Sequence, residues 1–122
     1  MSVEILHEKR NMTAAVTGEI DHHAAADIRV TIDGELERTT PEVLTFDMSG
    51  VTFMDSSAIG LVMGRQKLVT ELGGRCRVAD PPAYILKVMR LSGIEKLCEI
   101  VDTRVPLKAA GGRKTAWGGD EQ

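Results

Sequence analysis

Apolar and polar residues alternate at the start of the chain, and this pattern predicts two short strands. The first runs from Val3 to His7 and the second from Met12 to Thr17, with the polar residues 8–11 between them and Gly18 after them. The short polar spacer favours a β-hairpin.

The spacing of apolar residues then changes to that of one helical face, after a capping Asp21. This helix is predicted to end at Thr39-Thr40-Pro41, and its inward positions are Ala25, Ile28, Ile32 and Leu36. A strand follows from Val43 to Met48. Ser49-Gly50 is expected to break it and to leave residues 51–54 as a connector.

A second helix is predicted from Asp55-Ser56 to Leu72, because Gly73-Gly74 supplies a C-terminal stop. Its inward positions are Ala58, Leu61, Val62, Leu68, Val69 and Leu72.

The remaining elements are a strand, a helix and a last strand. The strand covers residues 75–79, and Asp80-Pro81-Pro82 is expected to cap the helix. The helix points Ile85, Leu86 and Met89 inward and stops at Ser92-Gly93, before a strand over residues 97–101.

The order β-β-α-β-α-β-α-β predicts an α/β fold with a mixed sheet of four to five strands and helices packed on it. We expect one domain over residues 1–106. Residues 107–122 lack periodicity and are predicted to be a disordered tail.

Composition narrows the class of protein. The chain has 122 residues, a net charge of −3 and only 3% aromatic residues. It therefore offers neither a basic face nor stacking platforms for nucleic acid. No apolar run is long enough to cross a membrane, and the N-terminus lacks a leader pattern, which together predict a cytoplasmic protein without a membrane partner. Cys76 and Cys98 are expected to be buried thiols.

Asp55-Ser56-Ser57 places two hydroxyls at a predicted helix start. Unpaired backbone N–H groups and the helix dipole favour an anion there. A phosphate on Ser56 would add about −1.5 to −2 charges beside Asp55. The three residues also fit a plain N-cap, since Asp and Ser are preferred capping residues.

Gly60 and Gly64 interrupt the same helix. Each glycine costs about 0.8–1 kcal/mol relative to Ala in a helix interior. With Ser57 they form a smooth stripe that allows close approach of another backbone. That backbone could belong to the protein's own sheet or to a partner, and the residues alone leave both open.

Motifs for catalysis are missing from the sequence. It has no G-x-S-x-G elbow and no phosphate-binding G-x-x-x-x-G-K loop. His22 and His23 point about 100° apart on a helix and have no further ligand at metal spacing. We therefore expect a protein that is not an enzyme, with surface histidines and no metal or cofactor.

Two segments carry a family resemblance. Gly18-Glu19-Ile20-Asp21-His22-His23, followed by Phe53-Met54-Asp55-Ser56-Ser57 with Gly60, Gly64 and Arg65, resembles the bacterial anti-sigma factor antagonists of the STAS domain family. The resemblance covers about residues 3–102, and Asp-His-His is most similar to the sporulation branch. Ala58-Ile59 departs from the Gly-Leu that often follows the triplet.

The resemblance implies a partner switch. The unphosphorylated domain binds an anti-sigma factor that is also a serine kinase, which frees the sigma factor. Phosphorylation of Ser56 ends the complex, and a PP2C-type phosphatase resets it. The partner contacts implied are Asp21, Asp55, Ser57, Gly60, Gly64 and Arg65. An alternative within the same family is an accessory subunit of a transporter or lipid-trafficking complex.

The same resemblance implies a geometric test. Asp21 and Ser56 belong to one docking surface only if the loops after the second and third strands lie at the same end of the sheet.

Overall fold

The computed structural model describes residues 2–103, which form five strands, three α-helices and one 3₁₀ turn at Ile94–Lys96. The strands are β1 Ser2–Glu8, β2 Asn11–Ile20, β3 Val43–Met54, β4 Arg75–Ala79 and β5 Glu99–Val101. The helices are α1 His22–Thr39, α2 Ser56–Glu71 and α3 Ala83–Ser92. The predicted tail at residues 107–122 lies outside the described residues.

The five strands form one mixed sheet in the order β1-β2-β3-β4-β5. β1 and β2 are antiparallel, as a hairpin requires, whereas β2, β3, β4 and β5 are all parallel. A helix connects each parallel pair, because parallel neighbours need a crossover. The predicted α/β fold with a mixed sheet is confirmed.

The core lies between the sheet and the helices. Alternate residues of the strands point into it, including Met12, Ala14 and Val16 of β2. Phe46 of β3 is fully buried. All three helices contribute to the same cluster, through Ile28, Ile32, Leu36, Val62, Val69, Ile85 and Met89.

β2 and β3 are longer than predicted, which corrects two expectations. Gly18 does not end β2, and Ser49-Gly50 does not break β3. Gly50 lies opposite Thr17, and a Cβ at Gly50 would come within 2.7 Å of Thr17 Cγ2. The glycine permits a close approach of two strands where the register shifts, which is the positional meaning of Gly inside a strand.

The start of α3 also differs from the prediction. Its N-cap is Pro82, which makes no side-chain capping bond. Asp80 instead accepts hydrogen bonds from the backbone N–H of Thr103, at 2.7 Å, and from the Thr103 hydroxyl. Asp80 therefore joins the end of β4 to the residues that follow β5.

The predicted inward positions of α2 are confirmed except for Leu72 at its end. Ala58, Leu61, Val62 and Val69 are buried, and Leu68 packs against the core. Leu72 is 37% exposed because the helix has ended at Glu71.

Candidate functional site

The loops after β2 and β3 meet at one edge of the sheet. Ile20 is paired with Met54, and the backbone N–H of Asp55 donates to the carbonyl oxygen of Ile20 at 3.4 Å. Asp21 and Asp55 thus follow adjacent parallel strands at the edge where both strands end. The expectation that the two loops share one end of the sheet is confirmed.

Both aspartates cap the helix that follows them. Asp21 Oδ1 accepts from the backbone N–H of Ala24 at 2.9 Å, and Asp55 Oδ1 accepts from that of Ser57 at 2.8 Å. The bond from Ala24 holds the pKa of the Asp21 carboxyl below its ordinary value. The N-cap interpretation of Asp55 is therefore correct, and it fixes the orientation of the residues beside it.

Ser56 is the first residue of α2 and is exposed, whereas Ser57 is half-buried. The Ser56 hydroxyl lies where the helix dipole is most favourable to negative charge.

A groove of about 460 Å³ runs between α1 and α2, and Ser57, the residue after Ser56, lines it. Its lining residues are His22, Ala25, Ala26, Arg29, Ser57, Gly60, Leu61, Gly64 and Arg65. A Cβ added to Gly60 or Gly64 would meet nothing within 4 Å apart from the backbone of α2. Neither glycine is needed for packing against the protein's own sheet. The explanation that the stripe of small residues serves that packing is therefore wrong.

Arg65 forms the far end of the groove and is only 9% exposed. Its Nε lies 2.7 Å from Oδ1 of Asp33 on α1, although the N–H does not point at that oxygen as in a hydrogen bond. Burial lowers the pKa of the Arg65 guanidinium, and the charge of Asp33 opposes that effect. The contact is therefore an ion pair that connects the two helices.

Sequence reasoning missed two residues of the groove. His22 was expected only as a surface histidine; it is exposed but also lines the groove, and its ring packs edge-on against His23 with centroids 5.8 Å apart. Arg29 was not considered. It lies seven residues after His22, a spacing that places both on one helical face and could have identified it.

Within residues 2–103, the side chains that line this groove do not form a catalytic pair. His22 and Ser57 line the same groove, but no hydrogen bond connects their side chains within residues 2–103. The arrangement instead combines an exposed hydroxyl, two capping carboxylates and an open groove with a basic lining. The roles of Asp21, Asp55, Ser57, Gly60, Gly64 and Arg65 in partner binding remain predictions.

Within residues 2–103, the helices are all too short or too polar to cross a membrane.

Comparison with known proteins gives a consistent result. The family model described as STAS domain matches residues 2–105. An anti-sigma F factor antagonist of Paenibacillus polymyxa is 30% identical over 105 residues, which cover 86% of this chain and 90% of that protein.

Two solved structures of the anti-sigma factor antagonist SpoIIAA are similar as well. The unphosphorylated form aligns with a TM-score of 0.74 and 26% identity, covering 89% of this chain and 92% of SpoIIAA. The phosphorylated form from Bacillus aligns with a TM-score of 0.68 and 25% identity, covering 90% and 97%.

Proposed function

The chain belongs to the STAS domain family, as an anti-sigma factor antagonist, and we propose that it acts as a partner switch controlled by phosphorylation of Ser56. In the unphosphorylated form it binds an anti-sigma factor that is also a serine kinase, and the sigma factor is released. The observation that carries the proposal is the exposed Ser56 hydroxyl at the start of α2, next to an open groove.

The similarity to SpoIIAA supports a phosphorylation switch, because that protein is known in an unphosphorylated and a phosphorylated form. The kinase takes its phosphate from ATP, which places the switch in the cytoplasm. A PP2C-type phosphatase then returns Ser56 to its hydroxyl form.

The docking surface in this proposal comprises Ser56 with the capping residues Asp21 and Asp55 and the groove residues Ser57, Gly60, Gly64 and Arg65. The capping bonds hold both loops in place before a partner arrives. Little ordering is then needed on binding, which favours affinity.

The acceptor is tested by incubating the protein with its cognate anti-sigma kinase and ATP. Tandem mass spectrometry should find one phosphate, on Ser56. Ser56→Ala should remain unmodified, whereas Thr52→Ala, which removes an exposed hydroxyl of β3, should be phosphorylated like the wild type. A phosphate on Ser57 or Thr52, or none, contradicts the assignment.

Affinity purification from the native cell separates this function from that of a transporter or lipid-trafficking subunit. An anti-sigma kinase should be recovered with the unphosphorylated protein. Recovery of membrane transport components in its place favours the alternative.

A further inference from the structure

The groove between α1 and α2 has a charge opposite to that of the whole chain. The chain carries a net charge of −3. The groove is lined by two arginines and a histidine, Arg29, Arg65 and His22, and none of its lining residues is an Asp or Glu. A basic surface on an acidic protein is a local feature that attracts an acidic ligand.

The arginines of the groove are incompletely neutralised. Asp33 contacts Arg65, but no acidic side chain within residues 2–103 forms an ion pair with Arg29. Arg29 is close enough to Arg65 that its charge lowers the pKa of Arg65. The charges of Arg29 and Arg65 therefore oppose each other, and a carboxylate placed between them would relieve this repulsion.

The other end of the groove also favours negative charge. His22 is the first residue of α1 and Ser57 the second residue of α2, so both helices direct their N-termini to the same end. Between the two ends, Gly60 and Gly64 leave the floor of the groove open. A carboxylate-bearing side chain can lie across them without meeting a Cβ.

We propose that this groove binds an acidic segment of the anti-sigma kinase, with a carboxylate of that segment between Arg29 and Arg65. The inference rests on the proposed function and adds the chemistry of the partner. Arg29 becomes a specificity-determining residue, because its guanidinium is the exposed cation of the pair.

An acidic occupant also explains how phosphorylation would act. Ser56 precedes the groove residue Ser57, so a phosphate would add about −1.5 to −2 charges at the entrance. Like charges that approach each other at an interface oppose binding. The same kinase segment would then be attracted before phosphorylation and repelled after it.

Charge reversal provides the first test, with the purified cognate kinase as the probe. Arg29→Glu should weaken binding of the unmodified protein by about tenfold or more at low salt, since it places a negative charge in the groove. Lys67→Glu makes the same charge change on the exposed surface of α2 outside the groove, and its dissociation constant should remain within about twofold of the wild type. Raising the salt concentration should weaken the wild-type complex more than the Arg29→Glu complex.

Filling the groove provides the second test. Gly64→Leu should abolish most of the binding while the protein remains folded. Gly34→Leu is the matched control, because Gly34 lies on the exposed surface of α1 and a Cβ there also meets nothing within 4 Å. It should bind like the wild type.

The outcomes separate this inference from the proposed function. If the wild type binds the kinase but Arg29→Glu and Lys67→Glu bind equally well, the acidic-segment proposal is wrong and the antagonist function stands. If the wild type does not bind the kinase, both are overturned. Restoration of Arg29→Glu binding by an acidic-to-Lys change in the kinase identifies the segment.

Discussion

At the scale of single residues, the site is built from two aspartates that perform a structural task. Asp21 and Asp55 cap α1 and α2 through one backbone N–H each. A cap fixes the first turn of its helix, and the first turn of α2 carries Ser56. The position of the hydroxyl that we propose as the phosphate acceptor therefore depends on a neighbouring carboxylate.

Removal of the cap of α2 should lower the free energy of unfolding by a predictable amount. Asp55→Ala should lower the free energy of unfolding by about 1 kcal/mol, whereas Asp55→Asn should lower it much less because Asn also caps helices well. Denaturant unfolding monitored by circular dichroism measures both changes. Equal losses in the two variants would contradict a capping role for Asp55.

Protonation of Asp21 in acid should lower the stability of the protein by weakening the cap of α1. Its pKa in the folded protein lies below the ordinary 3.8, mainly because Ala24 donates a hydrogen bond to the carboxylate. The ionised carboxylate thus contributes stability above that ordinary value, and the contribution is lost as the pH falls through the lowered folded-state pKa. Melting temperatures of wild type and Asp21→Asn should differ at neutral pH and converge in strong acid, and a difference that grows in acid would reverse the assignment.

At the scale of elements, α2 is a helix that keeps two glycines for a surface rather than for the core. Substitution by Ala adds a Cβ that meets no neighbouring atom within 4 Å, so the helix should gain stability without a clash. The two glycines that keep the groove open therefore lower the stability of α2.

Gly64→Ala should raise the free energy of unfolding by about 1 kcal/mol, and the melting temperature by about 4 °C. The control is Gly74→Ala, since a Cβ there would lie 2.5 Å from the carbonyl oxygen of Pro41 and should destabilise the protein. Differential scanning calorimetry of both variants distinguishes the two cases. A destabilised Gly64→Ala would show that the glycine serves the fold.

The order of helices and strands along the chain followed from periodicity and stop signals, but the lengths of the central strands did not. Glycine disfavours strands, so Gly50 predicted a break in β3. Only its pairing with Thr17 shows why a residue without a side chain is required there. Asp80 is a capping residue by type, yet it bonds to Thr103, 23 positions later. Local sequence contains no signal for such long-range partners.

The candidate site could be predicted only in part, because some of its contacts also join residues that are distant in the sequence. The capping motif at Asp55-Ser56-Ser57 is local, so its geometry was recognisable. The ion pair of Arg65 with Asp33 depends on the packing of α1 against α2. Periodicity within α1 could place Arg29 on a face of that helix, but it could not show that the face lines an open groove.

At the scale of the whole molecule, the proposed switch should act without changing the fold. Ser56 is exposed, and within residues 2–103 its side chain takes part in no hydrogen bond or ion pair. Ser56→Asp should therefore melt within about 3 °C of the wild type. Its affinity for the kinase should nevertheless fall strongly, because the added charge lies at the rim of the docking surface.

Calorimetric titration against the kinase, with thermal melts of the same samples, checks this expectation. Ser56→Ala serves as the control and should bind like the unphosphorylated wild type. A Ser56→Asp protein that binds normally, or that melts many degrees lower, would require a mechanism other than local charge and shape.

Strand order in the sheet equals strand order in the chain. A ribosome synthesises from the N-terminus, so each new strand emerges next to a neighbour that is already complete. Residues 21–65, which include every proposed contact, belong to the portion that is translated before β4. The surface that would meet the kinase is thus encoded before β4, within the first 65 residues, and the later strands and α3 complete the sheet on the side away from β1.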